Sequence, residues 1–503
     1  MSRNQNSKRG FTLINTKTNI SVTFQALFSM LQQLQSHFTW DLKKEDMELE
    51  NLSTRLEEHI ALQLGRPGAV ALSCSLLAYV RYHQNQPDEA LKLLLKSEQT
   101  TKEVYLEDSE RRLIVTYGDL AWLYYHTGKF TKSQKYCQRA QDVLIKYPTS
   151  SSEVLHPEVY GEKAWTYLKL SKPYYPEAIK YFQRALEVQK DDSEWNAGYA
   201  IALFRTETFT PEASEKAMGS AAVTQLRRAL ELSPDDGVLL SMLAVKLGVE
   251  KKYEEAESLV EKALKAAPDN PHAMRYISKY LRYQGNIEKS IELLERALQR
   301  SKTSAFIYHQ LGLCYKRKKI DEQRLKHYDK QKVQQLRSQC ILNLEKAVEI
   351  KPSFVIARID LALMYGEDKD LSRAEEMFQH CFNKSSDKRD RLPVCDRQLI
   401  HHRYAEFHLY HTGKQDEAIT HYTEALQLVP NTWEGKQCVK RLKKIANYRL
   451  SEDKDDSLAY SVLAQVAKAE GDKKKAAEFY EKALDCDENN SQYLYGLWEL
   501  RMQ

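Results

Sequence analysis

Residues that could hold an anion recur along the stretch HAMRYISKYLR, residues 272–282. They are His272, Arg275, Lys279 and Arg282. Because they are spaced by three, four and three residues, all of them share one face of an α-helix. Such a stripe is usually the solvated side of an amphipathic helix. It can instead line a binding site for a polyanion, and the surrounding elements decide between the two.

The composition limits the classes of protein to consider. Of the 503 residues, 29% are charged and 13 are proline, and the net charge is +5. These values are unlike those of a proline-rich disordered chain. Since the net charge is small for this length, a basic site must come from local clustering.

The sequence also indicates a compartment. It has no stretch of 18 consecutive apolar residues, and its first residues lack the apolar core of a signal peptide. The eight cysteines are scattered without a CxxC pair, which favours reduced thiols over disulfides or a zinc site. We therefore expect a cytoplasmic protein without a membrane partner.

A repeat of about 34 residues organises most of the chain. The clearest examples are the stretches 243–268, 361–382 and 463–484. In the first, Ala244 is followed 12 residues later by Ala256 and 19 residues later by Ala263. Small residues at this spacing, where two paired helices cross closely, are typical of tetratricopeptide repeats.

About ten repeats fit this frame. We therefore predict an all-α superhelix of tetratricopeptide repeats that encloses a basic central tunnel. Stretches with little pattern divide the chain into a disordered segment, three blocks and one insertion. These are the disordered segment 1–22, the N-terminal block 23–150, the central block 151–352 with a basic, helix-compatible insertion at 317–337, and the C-terminal block 353–503.

The first helix of each pair lines the concave surface of such an array. When positions are counted from the small residue that marks each repeat, His272, Arg275, Lys279 and Arg282 all face the concave surface. The same frame directs inward the cations Lys169, Arg205 and Lys316, the imidazole of His309, and an aromatic wall of Tyr79, Tyr82, Trp122 and Tyr125. Cations crowded in a hollow repel one another unless an anion fills it. Cations interleaved with aromatic rings suit single-stranded nucleic acid, although an acidic peptide, or water in a wide hollow, would also satisfy them.

Six segments are similar to those of one known family. They are SHFTWDLKKED (36–46), LLAYVRYHQNQPDEAL (76–91), LAWLYYHTGKFTKSQKY (120–136), AGYAIALFR (197–205), MRYISKYLR (274–282) and HQLGLCYK (309–316). Across residues 25–500 the chain resembles the interferon-induced proteins with tetratricopeptide repeats. HFTW and HQLGLCYK are not general repeat consensus, so this resemblance is specific.

The resemblance implies a function. Members of this family coil their repeats around a positively charged tunnel. The tunnel holds the 5′ end of single-stranded RNA, bearing a triphosphate or a cap that lacks ribose methylation, and no bond is broken. The chain is therefore expected to be an interferon-induced antiviral protein of innate immunity, not an enzyme and without a cofactor, that sequesters foreign RNA from translation.

The resemblance also implies site residues. By matching motifs, the phosphate contacts fall on Lys169, Arg205, Arg275, Tyr276, His309 and Gln310, with Tyr175 nearby. The inner end of the tunnel falls on Arg55, His59, Trp165 and Ile201. The repeat frame adds His272, Lys279, Arg282 and Lys316 to this predicted RNA-binding set. His59, His272 and Val238 differ from residues common in relatives, which leaves the preferred 5′ terminus open.

The sequence also allows partners other than RNA. The alternative function is a tetratricopeptide adaptor that binds acidic or C-terminal peptide segments, but such clamps favour inward asparagines that this chain lacks. YEKAL (480–484) resembles a motif through which family members associate, so a self- or family-member oligomer through the C-terminal repeats is one expectation. The same residues also satisfy repeat packing. The basic run KQCVKRLKK (436–444) either extends the RNA path or is a solvated helix face.

Motifs for chemistry are sparse. The sequence has no GxxxxGK[ST], HExxH or GxSxG motif. LIHHRYAEFHLYH (399–411) is rich in histidine, and His408 and His411 share a helical face. Without a nearby carboxylate or cysteine pair, we predict that it holds no metal.

Overall fold

The structure, a computed structural model, describes residues 25–65, 67–149, 154–207, 220–386 and 392–502. Within these ranges it contains helices and turns and no β-strand, which confirms the all-α fold class. The segment 1–22, predicted to be disordered, lies outside the described residues. In the described part of the chain, no helix combines the length and the apolar character needed to cross a membrane.

Residue contacts divide the chain into two compact units. Unit 1 contains the described residues up to Tyr280 together with Ala297–Thr303. Unit 2 contains Leu281–Arg296 and the described residues from Ser304 onward. The boundary between the units passes through two helices, α12 (Pro271–Tyr283) and α13 (Ile287–Arg300).

Unit 1 is built from consecutive helices that pack in pairs. Residues 25–32 are helical, a single turn lies at Ser109–Arg112, and the longer helices are α1 (Leu49–Ala61), α2 (Pro67–His83), α3 (Pro87–Tyr105), α4 (Ile114–His126), α5 (Phe130–Lys146), α6 (Pro157–Leu170), α7 (Tyr175–Val188), α8 (Ser193–Thr206), α9 (Ala221–Leu232), α10 (Gly237–Val249) and α11 (Tyr253–Ala266). The pairs α2–α3, α4–α5, α6–α7, α8–α9 and α10–α11 each form one repeat.

Unit 2 continues the same pattern. Its helices are α14 (Ala305–Gln323), α15 (Lys330–Ile350), α16 (Val355–Glu367), α17 (Leu371–Ser386), α18 (Val394–Phe407), α19 (Gln415–Leu428), α20 (Trp433–Glu452), α21 (Ser457–Ala469), α22 (Lys473–Cys486) and α23 (Ser491–Met502). A π-helical turn, His408–Thr412, follows α18 directly.

Small residues lie where the helices of a pair cross, as the repeat predicts. Ala244, Ala256 and Ala263 are fully buried. At Gly312 an added Cβ would lie 2.8 Å from Cγ of Leu344, so a larger residue would push the helices apart. The close approach of paired helices therefore explains the spacing of small residues in the sequence.

The insertion at 317–337 extends both helices of its repeat. α14 continues to Gln323, and α15 begins at Lys330. Lys319, although only 2% exposed, forms an ion pair with Glu367. Part of the basic charge of the insertion is thus neutralised by the next repeat.

The aromatic wall predicted for the concave surface is covered by residues 37–40. The ring of Phe38 lies 5.1 Å from Tyr79 and 5.0 Å from Tyr82, and it stacks on Trp122 at 6.2 Å. Tyr79 and Trp122 are consequently buried. The expectation that these two rings face a ligand is wrong, because they pack into the core of unit 1 instead.

Candidate nucleic-acid interface

Four helices of unit 1 bring basic side chains into one region. α1, α6, α8 and α12 contribute Arg55, Lys169, Arg205 and Arg275 respectively, and we call these four residues the cationic cluster. Each of the four is partly accessible to solvent. Lys279 lies one turn beyond Arg275 on α12 and is also partly accessible.

Electrostatic interactions show that these cations are close to one another. Burial lowers the pKa of Arg55, and the charges of Arg205 and Arg275 lower it further, while the opposing effect of Glu48 is weaker. Burial and then Arg55 lower the pKa of Lys169 to about 8. Water would screen cations on an open surface, and their pKa values would not shift in this way. The cationic cluster is therefore a group of partly buried cations that lie close to one another within unit 1.

Three members of the cationic cluster donate hydrogen bonds to neutral acceptors. Arg55 Nη2 donates to the carbonyl oxygen of Lys169 at 3.1 Å. Arg205 Nη1 donates to the carbonyl oxygen of Leu168 at 3.4 Å, and Lys169 Nζ donates to Ser73 Oγ at 2.6 Å. Because these acceptors carry no net charge, they satisfy the donors without cancelling the positive charge.

Two histidines lie among these cations and are held neutral. Burial, followed by the charges of Lys169 and Arg55, lowers the pKa of His59 to about 3. Burial and then Arg275 lower the pKa of His272 well below its usual value. Nδ1 of His59 lies 3.1 Å from Oγ of Ser73. A neutral imidazole offers one donor and one acceptor without adding charge.

Two tyrosines orient the arginines. Arg275 Nη2 donates to Tyr276 Oη at 3.3 Å. Burial alone would raise the pKa of Tyr276, but Arg275 and Arg205 outweigh burial and lower it. The guanidinium of Arg205 also lies 5.9 Å from the centre of the Tyr175 ring. These phenols limit the conformations of both guanidinium groups.

An apolar surface adjoins the cations. Nζ of Lys169 lies 6.0 Å from the centre of the Trp165 ring. Among the described residues, the buried Nε1 of Trp165 has no hydrogen-bond partner. Ile201, partly accessible, lies one turn before Arg205 on α8. A flat ligand group could therefore contact an indole, an aliphatic side chain and a cation together.

Unit 2 holds a second set of predicted residues with a different charge balance. His309 Nε2 lies 3.0 Å from Asp360 Oδ2, and Lys316 Nζ donates to Asp360 Oδ1 at 3.1 Å. Arg282 Nη2 donates to Gln310 Oε1 at 3.2 Å. Burial opposes ionisation, but Lys316 and His309 hold the pKa of Asp360 well below its usual value. We call His309, Gln310, Lys316, Asp360 and Arg282 the paired cluster.

The sequence prediction missed Asp360. A signal was present, because Asp360 stands two residues before Ala362, the small residue that marks its repeat. Tyr276 stands two residues before Ser278 in the same way. This position of the repeat therefore contributes to the candidate interface in addition to the positions that the frame directed inward.

Known proteins resemble this chain over nearly its whole length. Two tetratricopeptide-repeat family profiles match it, one at residues 162–237 and 242–305 and the other at 458–490. The human antiviral innate immune response effector IFIT1 is 32% identical over 462 residues, which cover 90% of this chain and 94% of IFIT1. The chain belongs to the IFIT family, the interferon-induced proteins with tetratricopeptide repeats.

Solved structures resemble this IFIT protein to a similar extent. The human IFIT1 dimer with m7Gppp-AAAA matches with a TM-score of 0.81 at 32% identity, over 92% of this chain and 99% of that one. The human IFIT1 dimer with PPP-AAAA matches with a TM-score of 0.79 at 32% identity, over 91% and 99% of the two chains.

Proposed function

We propose that this IFIT protein captures the 5′ end of single-stranded RNA, bearing a triphosphate or a cap without ribose methylation, in the cationic cluster of unit 1. It thereby acts as an antiviral effector that sequesters foreign RNA from translation. The observation that carries the proposal is a group of four partly buried cations that lie close together, three of which, Arg55, Lys169 and Arg205, donate to neutral acceptors.

A chain of phosphates fits this charge pattern. Phosphate oxygens accept charge-assisted hydrogen bonds from guanidinium and ammonium groups, and these are stronger than the bonds to carbonyl and hydroxyl oxygens that they would replace. The ligand would also relieve the repulsion among Arg55, Lys169 and Arg205. A terminal triphosphate concentrates charge at one end of the strand, so the end of the RNA is preferred over its interior.

Recognition of this kind does not depend on base sequence. Contacts to phosphates fix position but carry no sequence information. Trp165 and Ile201 offer a face for the first base or a cap. Within unit 1, the proposal assigns further ligand contacts to Tyr175, His59, His272, Tyr276 and Lys279. Phosphate contacts by Arg282, His309, Gln310 and Lys316 stay a prediction from the sequence.

The proposal is supported by the human IFIT1 structures with capped and triphosphate RNA. It includes the cytoplasm as the compartment, supported by the eight free cysteines. It also includes self-association through the C-terminal repeats, supported by the human IFIT1 dimer and by the exposed side chains of Leu494, Tyr495 and Trp498 on α23. Tyr480 of the YEKAL segment is buried against Gly496, which assigns that residue to repeat packing.

The decisive experiment is a competition series with one oligoadenylate that carries different 5′ ends. The ends are hydroxyl, monophosphate, triphosphate, an unmethylated-ribose cap and a ribose-methylated cap. We expect the triphosphate to bind at least about tenfold more tightly than the hydroxyl, because it adds several charges at the cationic cluster. Equal affinities for all ends would reduce the interaction to general charge attraction and refute the proposal. Tighter retention on an acidic-peptide column than on RNA would favour the peptide adaptor.

A further inference from the structure

Two histidines and a glutamate converge on one point in unit 2. His401 lies on α18, and His421 and Glu424 lie on α19. Nδ1 of His401 is 2.8 Å from Oε2 of Glu424, and Nδ1 of His421 is 2.9 Å from the same oxygen. The two Nδ1 atoms are 3.1 Å apart. The three atoms therefore form a nearly equilateral triangle.

Protons cannot satisfy all three contacts of this triangle. If both Nδ1 atoms carry a hydrogen, both donate to the carboxylate, but the two donors then face each other. If only one carries a hydrogen, the other nitrogen presents a lone pair to the carboxylate oxygen. If neither does, all three atoms repel one another. While Glu424 is ionised, every arrangement leaves at least one unfavourable contact, because an imidazole nitrogen is either a donor or an acceptor.

We propose that His401, His421 and Glu424 bind a zinc ion between α18 and α19. A cation above the centre of the triangle is attracted by all three atoms at once. Two imidazole nitrogens and a carboxylate oxygen are ligands that zinc prefers, and water would complete a tetrahedron. Ligand atoms about 2.0 Å from zinc are about 3.3 Å apart in a tetrahedron, so the side chains need to separate by only about 0.2–0.5 Å.

The surroundings hold the two imidazoles in place. The ring of Phe382 packs edge-on against His401 at 5.0 Å and stacks on His421 at 5.8 Å. The ring of Tyr404 also packs against His421, with ring centres 4.7 Å apart. Rings fixed on several sides lose little freedom on binding an ion, which favours affinity. The site is also reachable, since the side chain of Glu424 is 46% exposed.

The segment joining the two helices is unusual. The π-helical turn His408–Thr412 widens the end of α18 just before the chain reverses into α19. π-helical turns of this kind are frequent at functional sites. The sequence prediction considered His408 and His411 in this segment and expected no metal because a carboxylate was missing. In the structure the carboxylate comes from Glu424 on the next helix. The histidines that contact it are His401 and His421, not His408 and His411.

A bound ion would link the two helices of one repeat. Because the ion binds the folded chain, it would raise the midpoint of thermal unfolding as the free zinc concentration exceeds the dissociation constant. The proposed zinc ion has a structural role, and this role concerns unit 2 only. It does not depend on the proposed RNA function, since none of the three ligands belongs to the predicted RNA-binding set.

The test is a zinc titration of the full chain after it has been stripped of metal with a chelator. We expect one equivalent of zinc to bind and the unfolding midpoint to rise with zinc concentration. His421→Ala and Glu424→Gln should each weaken zinc binding at least about tenfold, because each removes one ligand. Glu424→Gln keeps the size of the side chain, so it tests the charge even if His421→Ala folds poorly.

The matched control is His380→Ala, which removes an exposed histidine of α17 in the same unit. It should leave zinc binding unchanged, and so should Arg205→Glu, which separates this site from the RNA site. Two results would overturn the proposal. One is the absence of binding at micromolar zinc. The other is binding that persists in both His421→Ala and Glu424→Gln, since the ion would then be held by other groups such as the exposed Cys395.

Discussion

The cationic cluster of unit 1 and the paired cluster of unit 2 contain similar residue types but differ in charge balance. In the cationic cluster, Arg55, Lys169 and Arg205 donate to carbonyl and hydroxyl oxygens. In the paired cluster, Lys316 and His309 share one carboxylate, that of Asp360. Positive charge therefore accumulates in the first, whereas in the second the carboxylate of Asp360 offsets the charge of Lys316.

The pKa values reflect this difference. The neighbours of Lys169 fail to offset its burial, and its pKa falls to about 8. Burial lowers the pKa of Lys316 as well, but Asp360 more than compensates and raises it. Counting cations along the inward face is thus a poor guide to ligand binding. What matters is whether a carboxylate of the chain already occupies the position that a phosphate would take.

The largest effect is expected from reversing one charge in the cationic cluster. Arg205→Glu places a carboxylate beside Arg55 and Arg275, where it occupies the position of the ligand and repels phosphate. We expect the affinity for 5′-triphosphate RNA to fall at least about 100-fold, because one attractive contact becomes repulsive in a partly buried site. Fluorescence anisotropy with a labelled oligoadenylate measures the loss, and circular dichroism checks that the helices remain.

The matched control is Arg228→Glu on α9. Arg228 lies in the same unit, but its side chain is 41% exposed and ion-paired with Asp191 and Glu231. It should change RNA affinity by less than about threefold, because exposed pairs contribute little and are screened. If Arg205→Glu bound RNA as tightly as this control, the cationic cluster would not be the binding site.

An effect of intermediate size is expected from pH. Since the pKa of Lys169 is about 8, its ammonium group loses its proton over the range in which other lysines remain charged. A bound phosphate stabilises the charged form, so the bound complex has the higher pKa. Affinity should therefore be constant below pH 7 and should fall by up to about tenfold per pH unit above pH 8. Titrations between pH 6.5 and 9.5 with an adenosine-only RNA measure this dependence.

Lys169→Arg is the control for this prediction. Arginine keeps its charge throughout this pH range, so the variant should bind RNA with little dependence on pH. A wild-type affinity that stays flat to pH 9.5 would show that Lys169 does not contact the phosphates. A decline that persists in Lys169→Arg would assign the titration to another group.

Much of the fold could be predicted because the repeat is a local signal. Small residues such as Ala244 and Ala256 recur at fixed spacing wherever two helices of a pair cross, and each pair is adjacent in sequence. The covering of Tyr79 and Trp122 could not be predicted in this way. Phe38 reaches them from a segment that precedes the repeats, and the repeat frame does not describe that segment. The division into three blocks stays a prediction.

The candidate site was predictable to the extent that it follows the repeat frame. Lys169, Arg205 and Arg275 were directed inward by their positions, and the structure brings them together with Arg55. The partners of these positions were harder to predict. Asp360 and Glu424 come from a neighbouring repeat or the next helix, so only the packing of helices shows which cation or imidazole each carboxylate meets.

The smallest effect is expected from removing the carboxylate that distinguishes the two clusters. Asp360→Asn frees Lys316 and His309 from their shared partner. If the paired cluster contacts RNA phosphates as the sequence predicts, the affinity should rise by about threefold, and the slope of log affinity against log salt concentration should steepen by about one. The variant should also be less stable by about 1–3 kcal/mol, because a partly buried lysine loses its counter-charge.

Asp368→Asn is the control for this change, since Asp368 lies just beyond the same helix and pairs with Arg337 outside the predicted set. Titrations at several salt concentrations, well below the unfolding midpoint, separate the effect on binding from the effect on stability. An unchanged affinity and salt dependence would show that the RNA does not contact Lys316. In that case the paired cluster would be a structural ion pair, and the cationic cluster alone would account for binding.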